Sequence, residues 1–174
     1  MQRRHNNILL LTATIQPMKD MPALARTDPY LRLQDYKTTL RAYLGLLDGD
    51  LIDRIVFAEN SNADLSELRA LTAEAGVGDR VEFVSFYGLD FDPAKGRGFG
   101  EFKLIDHAMC TAECLRDNAD VVVWKCTGRY FVRNLEKLIR KTTPPFDVLC
   151  HCRDYPTRWC DCICWRGACV AMRN

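Results

Sequence analysis

The chain has 174 residues, 48% of them hydrophobic and 27% charged, so it can bury a sizeable core and is not disordered throughout. Its 24 basic and 23 acidic residues give a net charge of +1, which excludes a global attraction for nucleic acid or acidic membranes. The apolar run Ile8–Ala13 is too short to span a membrane and soon meets Pro17, which argues against a signal peptide. We therefore expect a cytosolic protein that does not bind nucleic acid.

Strand-like and helix-like segments alternate along the chain. Short apolar runs predict strands at Ile8–Ile15, Arg54–Ala58, Val81–Phe86, Asp120–Trp124, Phe146–Cys150, Cys160–Trp165 and Ala168–Met172, the last two joined by a hairpin at Arg166-Gly167. Helical spacing predicts helices at Leu31–Leu47, from Asp64 with Glu67 in the capping-box position, at Glu101–Arg116 and at Arg133–Lys141. This order predicts one α/β domain over residues 1–174, with an open, mostly parallel sheet, helices on both faces, and the Cys-rich strands of 150–174 in the same domain.

Ligands of such sheets bind beyond the carboxyl ends of the strands, so the segments that follow strands carry the functional predictions. One of them is Lys95-Gly-Arg-Gly-Phe-Gly-Glu101, which ends a long polar loop over 87–100. Glycines at alternate positions, with two cations beside them, predict a bent loop that cradles a phosphate at the start of a helix. A flexible lid or a simple turn is the alternative.

The other segment is Trp124-Lys-Cys-Thr-Gly-Arg-Tyr130, directly after the predicted fourth strand. Gly128 permits a sharp turn there, and Lys125 and Arg129 place two cations at the strand exit. The pair is expected to neutralise a diphosphate, since Arg binds its oxygens bidentately and Lys acts as a point charge. A solvated basic face over 125–141 is the alternative.

Several short motifs, taken in order, resemble one family. Thr14-Ile-x-Pro17, Arg32-Leu-x-Asp-Tyr36, Phe57-Ala-Glu-Asn-Ser61, the glycine-rich segment and the Trp-Lys-x-Thr-Gly-Arg-Tyr segment are similar to bacterial glycosyltransferases of cell-surface polysaccharide and lipopolysaccharide assembly. The resemblance covers roughly Ile8–Asp161. It implies a GT-A-like nucleotide-sugar-binding fold, and transfer of a sugar from a nucleotide-diphosphate donor to a glycan or lipid-linked acceptor. The local basic charge allows a peripheral membrane contact with such an acceptor.

Donor and catalytic residues are expected at the strand exits. Such a transfer needs a nucleoside site, a device that neutralises the leaving diphosphate, and a carboxylate that deprotonates the acceptor hydroxyl. The predicted donor-binding residues are Thr14, Glu59, Asn60, Lys95, Arg97, Gly98, Lys125, Thr127, Gly128, Arg129 and Tyr130. The carboxylates Asp154, Asp161 and Glu101 are candidate bases. Asp161 is favoured because the family has an acidic residue near this position, and Glu101 is the second catalytic candidate.

No metal cofactor is predicted. Many GT-A enzymes hold a divalent cation with Asp-x-Asp after the fourth strand, whereas this chain has Lys125-Cys-Thr127 there, and a cationic exit repels a metal. Asp90-Phe-Asp92 matches the Asp-x-Asp pattern but lies in a predicted loop. A turn is therefore favoured there over a divalent-cation site.

Nine cysteines leave a second function class open. Six of them, at 150, 152, 160, 162, 164 and 169, lie in the last 25 residues and with His151 form a candidate zinc cluster. Cysteines at alternate strand positions share one face and cannot surround a metal, so burial as small apolar groups is favoured. The alternatives to a glycosyltransferase are therefore a zinc-binding interaction module, and an inactive remnant that leaves apolar surface exposed along its last strands.

Overall fold

The protein is an α/β structure built on one six-stranded sheet. A computed structural model describes residues 6–22, 24–49, 51–116, 118, 120–142, 146–156 and 159–167, with no side-chain description for residues 153 and 159–163. The sheet has the order β3-β2-β1-β4-β6-β5. Strands β1 to β4 run parallel, β6 is antiparallel to β4 and β5 is antiparallel to β6. The predicted α/β class and the mostly parallel sheet are confirmed.

The elements follow the predicted order with shifted ends. The strands are β1 Asn6–Ala13, β2 Arg54–Glu59, β3 Val81–Ser85, β4 Val121–Thr127, β5 Val148–Arg153 and β6 Trp159–Arg166. The helices are α1 Pro29–Asp48, α2 Ser66–Glu74, α3 Gly96–Thr111 and α4 Leu135–Lys141. The predicted strand Ala168–Met172, and with it the hairpin at Arg166-Gly167, lies outside the described residues.

Alternating side chains of the central strands build a core on each face of the sheet. Leu9 and Leu11 of β1 pack with α1, α2 and α4, whereas Ile8 and Leu10 pack with α3. This alternation is the period-two geometry of a strand buried on both faces. Helices therefore cover both faces, with α3 alone among the four helices on its side.

Three local predictions are wrong. Strand β4 continues through Thr127, so Lys125 lies within the strand rather than after it. The glycines of 96–100 form the first turn of α3 rather than a loop. The predicted capping box is absent because Asp64 Oδ1 accepts from the backbone N–H of Ser66, while Glu67 pairs with Lys37. None of the helices in the described part of the chain is long and apolar enough to cross a membrane.

Candidate functional site

The carboxyl ends of β1 and β4 form the point where the order of the sheet reverses. The chain passes from β1 to β2 and β3 on one side, and then returns through α3 to β4 on the other side of β1. Open α/β sheets bind their ligands beyond the carboxyl ends of the strands at such a reversal. The residues at this edge are therefore candidates for a ligand site.

Gly128 joins the ends of β1 and β4 at this edge. Its N–H donates to the carbonyl of Thr12 at 2.9 Å, which ties the end of β4 to the end of β1. A Cβ at this position would lie 3.1 Å from that carbonyl oxygen and 3.1 Å from the ring of Tyr36. Glycine is thus required by close packing against Tyr36 of α1.

Arg32 lies at this edge, and among the described residues no carboxylate forms a direct ion pair with it. It is only 4% exposed, and its guanidinium donates to the carbonyls of Thr14 (2.6 Å) and Arg26 (2.9 Å) and to the hydroxyl of Tyr36 (3.4 Å). These three acceptors are all neutral. Burial is the main cause that lowers the pKa of Arg32, although an arginine stays protonated at neutral pH. A buried cation without a counter-ion is costly, and an anionic ligand would reduce that cost.

Two further arginines and one aspartate complete the cluster. Asp35 Oδ2 lies 3.2 Å from Arg26 Nε and 4.0 Å from Arg129 Nη1, so one carboxylate oxygen serves both cations. The charge of Arg129 also lowers the pKa of Arg32. Three guanidinium groups and one carboxylate give a net charge of +2. We call Arg26, Arg32, Asp35 and Arg129 the arginine cluster.

Two tyrosines of α1 hold the surrounding loops in place. The Tyr36 hydroxyl accepts from the Thr14 N–H at 2.8 Å and donates to the Thr14 carbonyl at 3.2 Å. Burial raises the pKa of Tyr36, so the phenol stays neutral beside the arginines. The Tyr43 hydroxyl donates to the carbonyl of Tyr130 and accepts from the N–H of Val132, both at 3.0 Å. The loops after β1 and β4 are therefore both fastened to α1.

Lys125 and Arg129 do not lie side by side, as the predicted pair requires. Lys125 Nζ lies 2.5 Å from Glu101 Oε1 of α3, and its side chain is 5% exposed. Arg129 lies beside Asp35 of α1, on the opposite face of the sheet. The physical reason is the strand geometry: Lys125 lies inside β4 and faces α3, whereas Arg129 follows the turn at Gly128.

Glu101 is a half-exposed carboxylate held from two sides at the same sheet edge. Its Oε1 accepts from the Thr12 hydroxyl at 3.0 Å and pairs with Lys125, which faces α3 like Thr12. Thr127 lies opposite Thr12 in the β1–β4 pairing. Glu101 can thus present its carboxylate at a fixed position on the α3 side of this edge.

Glu59, a predicted donor-binding residue, forms hydrogen bonds with groups of the chain itself. Its side chain is fully buried. Oε1 accepts from the N–H groups of Ile15 (3.0 Å) and Ser61 (2.9 Å) and from the Ser61 hydroxyl, and Oε2 accepts from the N–H of Ala63 (3.1 Å). These bonds fasten the exits of β1 and β2 to each other.

Thr14 and Asn60 meet directly at the exits of β1 and β2. The Thr14 hydroxyl donates to Asn60 Oδ1 at 2.6 Å, and the N–H of Gln16 donates to the Ser61 hydroxyl at 2.9 Å. Thr14 is half-buried, and its carbonyl also receives the Arg32 guanidinium. The predicted nucleoside residues Thr14 and Asn60 are thus joined to the arginine cluster through Thr14.

The glycine-rich segment has a packing role that the sequence did not indicate. A Cβ on Gly100 would lie 2.6 Å from the ring of Phe91, whereas Gly98 has open space around its Cα. Lys95 lies over the ring of Phe99, with Nζ 4.6 Å from the centroid, and Arg97 is exposed. The cradle predicted at this segment is therefore replaced by a helical turn with two exposed cations beside it.

The other predicted carboxylates lie in the turn before α3 or at the last two strands. Asp90 pairs with Lys103, and Asp92 Oδ1 accepts from the N–H of Ala94 at 2.9 Å, so both belong to the turn that precedes α3. Asp161 lies in β6 where the register with β5 shifts, and its side chain is among those not described. Asp154 is exposed beyond the end of β5.

The cysteines are spread over several environments. Cys126 and Cys164 are buried in the core, whereas Cys150 and Cys152 of β5 are exposed. Burial, reinforced by the Glu82 carboxylate, raises the pKa of Cys114 to about 12, which makes this thiol inert. Within the described residues, no three His, Cys, Asp or Glu side chains come together as a metal site. The side chains of Cys160 and Cys162 lie outside that description.

Comparison with known proteins does not identify the chain. No family model, curated protein or solved structure matches it.

Sequence reasoning did not predict the contacts that Arg26, Arg32, Asp35 and Tyr36 make at this edge. The segment Arg32-Leu-x-Asp-Tyr36 contributes to the family resemblance, but the sequence predicts no ligand role for its residues. A signal was present, since Arg32 and Tyr36 are one turn apart on the face of α1 that also carries Leu40 and Tyr43 toward the core. A charged residue on an apolar helix face predicts a buried charge, and a buried charge requires a partner.

Proposed function

We propose that this chain binds the diphosphate of a nucleotide sugar at the arginine cluster, and transfers the sugar to a hydroxyl of a glycan or lipid-linked acceptor. The observation that carries the proposal is the buried guanidinium of Arg32, which has no direct ion pair among the described residues, within a cluster of net charge +2. The cluster lies at the carboxyl edge where the order of the sheet reverses, which is the usual ligand site of open α/β sheets. The resemblance to surface-polysaccharide glycosyltransferases and their GT-A-like fold adds the sugar to this proposal.

In the proposed transfer, Glu101 acts from the α3 side of the sheet edge and the arginine cluster acts from the α1 side. The acceptor hydroxyl transfers its proton to Glu101, and its oxygen forms the new bond to the anomeric carbon of the sugar. The bond from that carbon to the diphosphate breaks, and the diphosphate leaves with the electron pair. Arg32 and Arg129 stabilise the charge that develops on the leaving group, so no metal is assigned to this role. Thr12 and Lys125 orient Glu101.

The remaining predicted residues contact the nucleoside, attract the donor or hold the loops in this proposal. Thr14 and Asn60 line the nucleoside side of the site. Tyr130 is exposed, and the guanidinium of Arg129 lies 5.2 Å from the centroid of its ring. Lys95 and Arg97 face solvent at the start of α3, where they attract the anionic donor. Glu59 fixes the loops and does not contact the ligand in this proposal.

A screen of melting temperature against nucleotide sugars tests the proposal. We expect at least one uridine, guanosine, cytidine or thymidine diphosphate sugar to raise the melting temperature of the wild-type protein by a few degrees at ligand concentrations well above Kd. The Arg129→Ala variant is expected to lose most of this shift, because it removes a cation from the cluster. The Arg140→Ala variant also removes an arginine, but one that pairs with Glu136 on the surface of α4, and it should keep the shift. Absence of a shift with every nucleotide sugar would contradict the proposal.

The inactive remnant is the second candidate, favoured by one observation. Val148 and Leu149 of β5 are exposed, as that alternative predicts for the last strands. A remnant would show no nucleotide-dependent shift in the same screen. The zinc-binding module has no comparable support among the described side chains.

A further inference from the structure

The arginine cluster contains a carboxylate where an anion site would be expected to have none. Asp35 is one turn from Arg32 on α1, and its Oδ2 contacts both Arg26 and Arg129. Its side chain is partly exposed at the mouth of the cluster. Without Asp35 the three guanidinium groups would carry +3, and with it they carry +2.

The charge of +2 discriminates between the substrate and the product of the proposed reaction. A sugar diphosphate diester carries about −2, because each phosphate has one ionised oxygen. The nucleoside diphosphate released after transfer carries about −3 near pH 7, since its terminal phosphate ionises a second time with a pKa near 6. A cluster of +2 is neutralised by the diester, whereas a cluster of +3 would favour the released product.

We infer that Asp35 is a specificity-determining residue that matches the cluster to a dianionic diphosphate diester and weakens retention of the trianionic product. The inference rests on the proposed function. The Asp35 carboxylate neutralises part of the positive charge of Arg26 and Arg129. An additional negative charge on the ligand is therefore repelled by Asp35 instead of pairing with a free guanidinium.

The Asp35→Asn variant tests this inference without knowledge of the nucleotide. Two probes share the diphosphate and differ by one unit of charge and by two methyl groups: inorganic pyrophosphate, at about −3, and its P1,P2-dimethyl diester, at about −2. The methyl groups are the same in both proteins, so a change in preference between the variant and wild type reports the charge. Calorimetric titration at pH 7.5 measures both Kd values. In the Asp35→Asn protein we expect the preference for pyrophosphate over the diester to rise at least about threefold relative to wild type, because the site gains one positive charge. Asp48→Asn makes the same charge change on the same helix, 13 residues or about 20 Å away, and should leave the preference unchanged.

The outcomes separate the inference from the proposed function. Equal changes in both Kd values, or no change, would overturn the role of Asp35 and leave diphosphate binding intact. Weaker binding of both probes by Asp35→Asn would show that the carboxylate positions Arg129 rather than selects charge, and would also overturn the inference. If wild-type protein binds neither probe, the proposed function and the inference both fail.

Discussion

Replacing Arg32 by methionine is expected to weaken diphosphate binding about 10- to 100-fold, the range expected for losing hydrogen bonds from a charged donor. The free protein should keep its fold. Methionine fills a similar apolar volume, the Thr14 carbonyl keeps its bond from Tyr36, and the Arg26 carbonyl lies in an exposed residue that water can reach. Removal of a buried charge without a counter-ion can even stabilise the unliganded state.

Calorimetric titration and urea denaturation of the same Arg32→Met sample separate these two effects. We expect the Kd for pyrophosphate to rise while the unfolding midpoint changes little. Arg140→Met is the matched control, because it removes an exposed guanidinium outside the cluster. An unchanged Kd in Arg32→Met would show that the buried cation has a structural role only.

The largest effect on stability is expected from Glu59→Gln, with a loss of about 2–4 kcal/mol in the free energy of unfolding. The carboxylate accepts from three backbone N–H groups and one hydroxyl, and all of these donors lose a charged acceptor. The glutamine NH₂ group must also face an N–H donor. Glu67→Gln is the control, because Glu67 is an exposed partner of Lys37 and such pairs contribute less than about 1 kcal/mol.

Urea denaturation followed by circular dichroism measures both glutamate variants. Equal stability of Glu59→Gln and Glu67→Gln would contradict the structural role assigned to Glu59. Glu59→Gln can also be tested in the melting-temperature screen with nucleotide sugars. Loss of the ligand-dependent shift without loss of stability would restore the nucleoside-binding role predicted from the sequence.

Hydrophobic spacing predicts the order of strands and helices. The positions of the site residues also depend on where each strand ends, which the spacing does not determine. Val121, Val122 and Val123 identify β4 at once, whereas continuation through Lys125 depends on pairing with β1 and on the ion pair with Glu101. A lysine inside a buried strand contradicts local preference, so the sequence suggested an exit at that point. The prediction therefore placed Lys125 beside the diphosphate, whereas the structure places it on the α3 side of the sheet.

The arginine cluster could not be predicted because its residues are far apart in the sequence. Arg26 and Arg32 come from the first loop and α1, and Arg129 from the turn after β4, so they meet only because β1 and β4 are neighbours in the sheet. The sequence predicted a parallel sheet but not its order. Arg129 was predicted as a diphosphate ligand, and its partners required the fold.

Backbone amide shifts on titration with pyrophosphate, measured by NMR, test the central claim most directly. Binding at the arginine cluster predicts the largest changes at Thr14 and Gly128, whose N–H groups lie in the loops that Tyr36 and Thr12 hold around Arg32 and Arg129. Gly45, in a separate groove between α1 and α2 lined also by Arg41 and Glu74, should not move. Changes centred on Gly45, with Thr14 and Gly128 unaffected, would contradict the account.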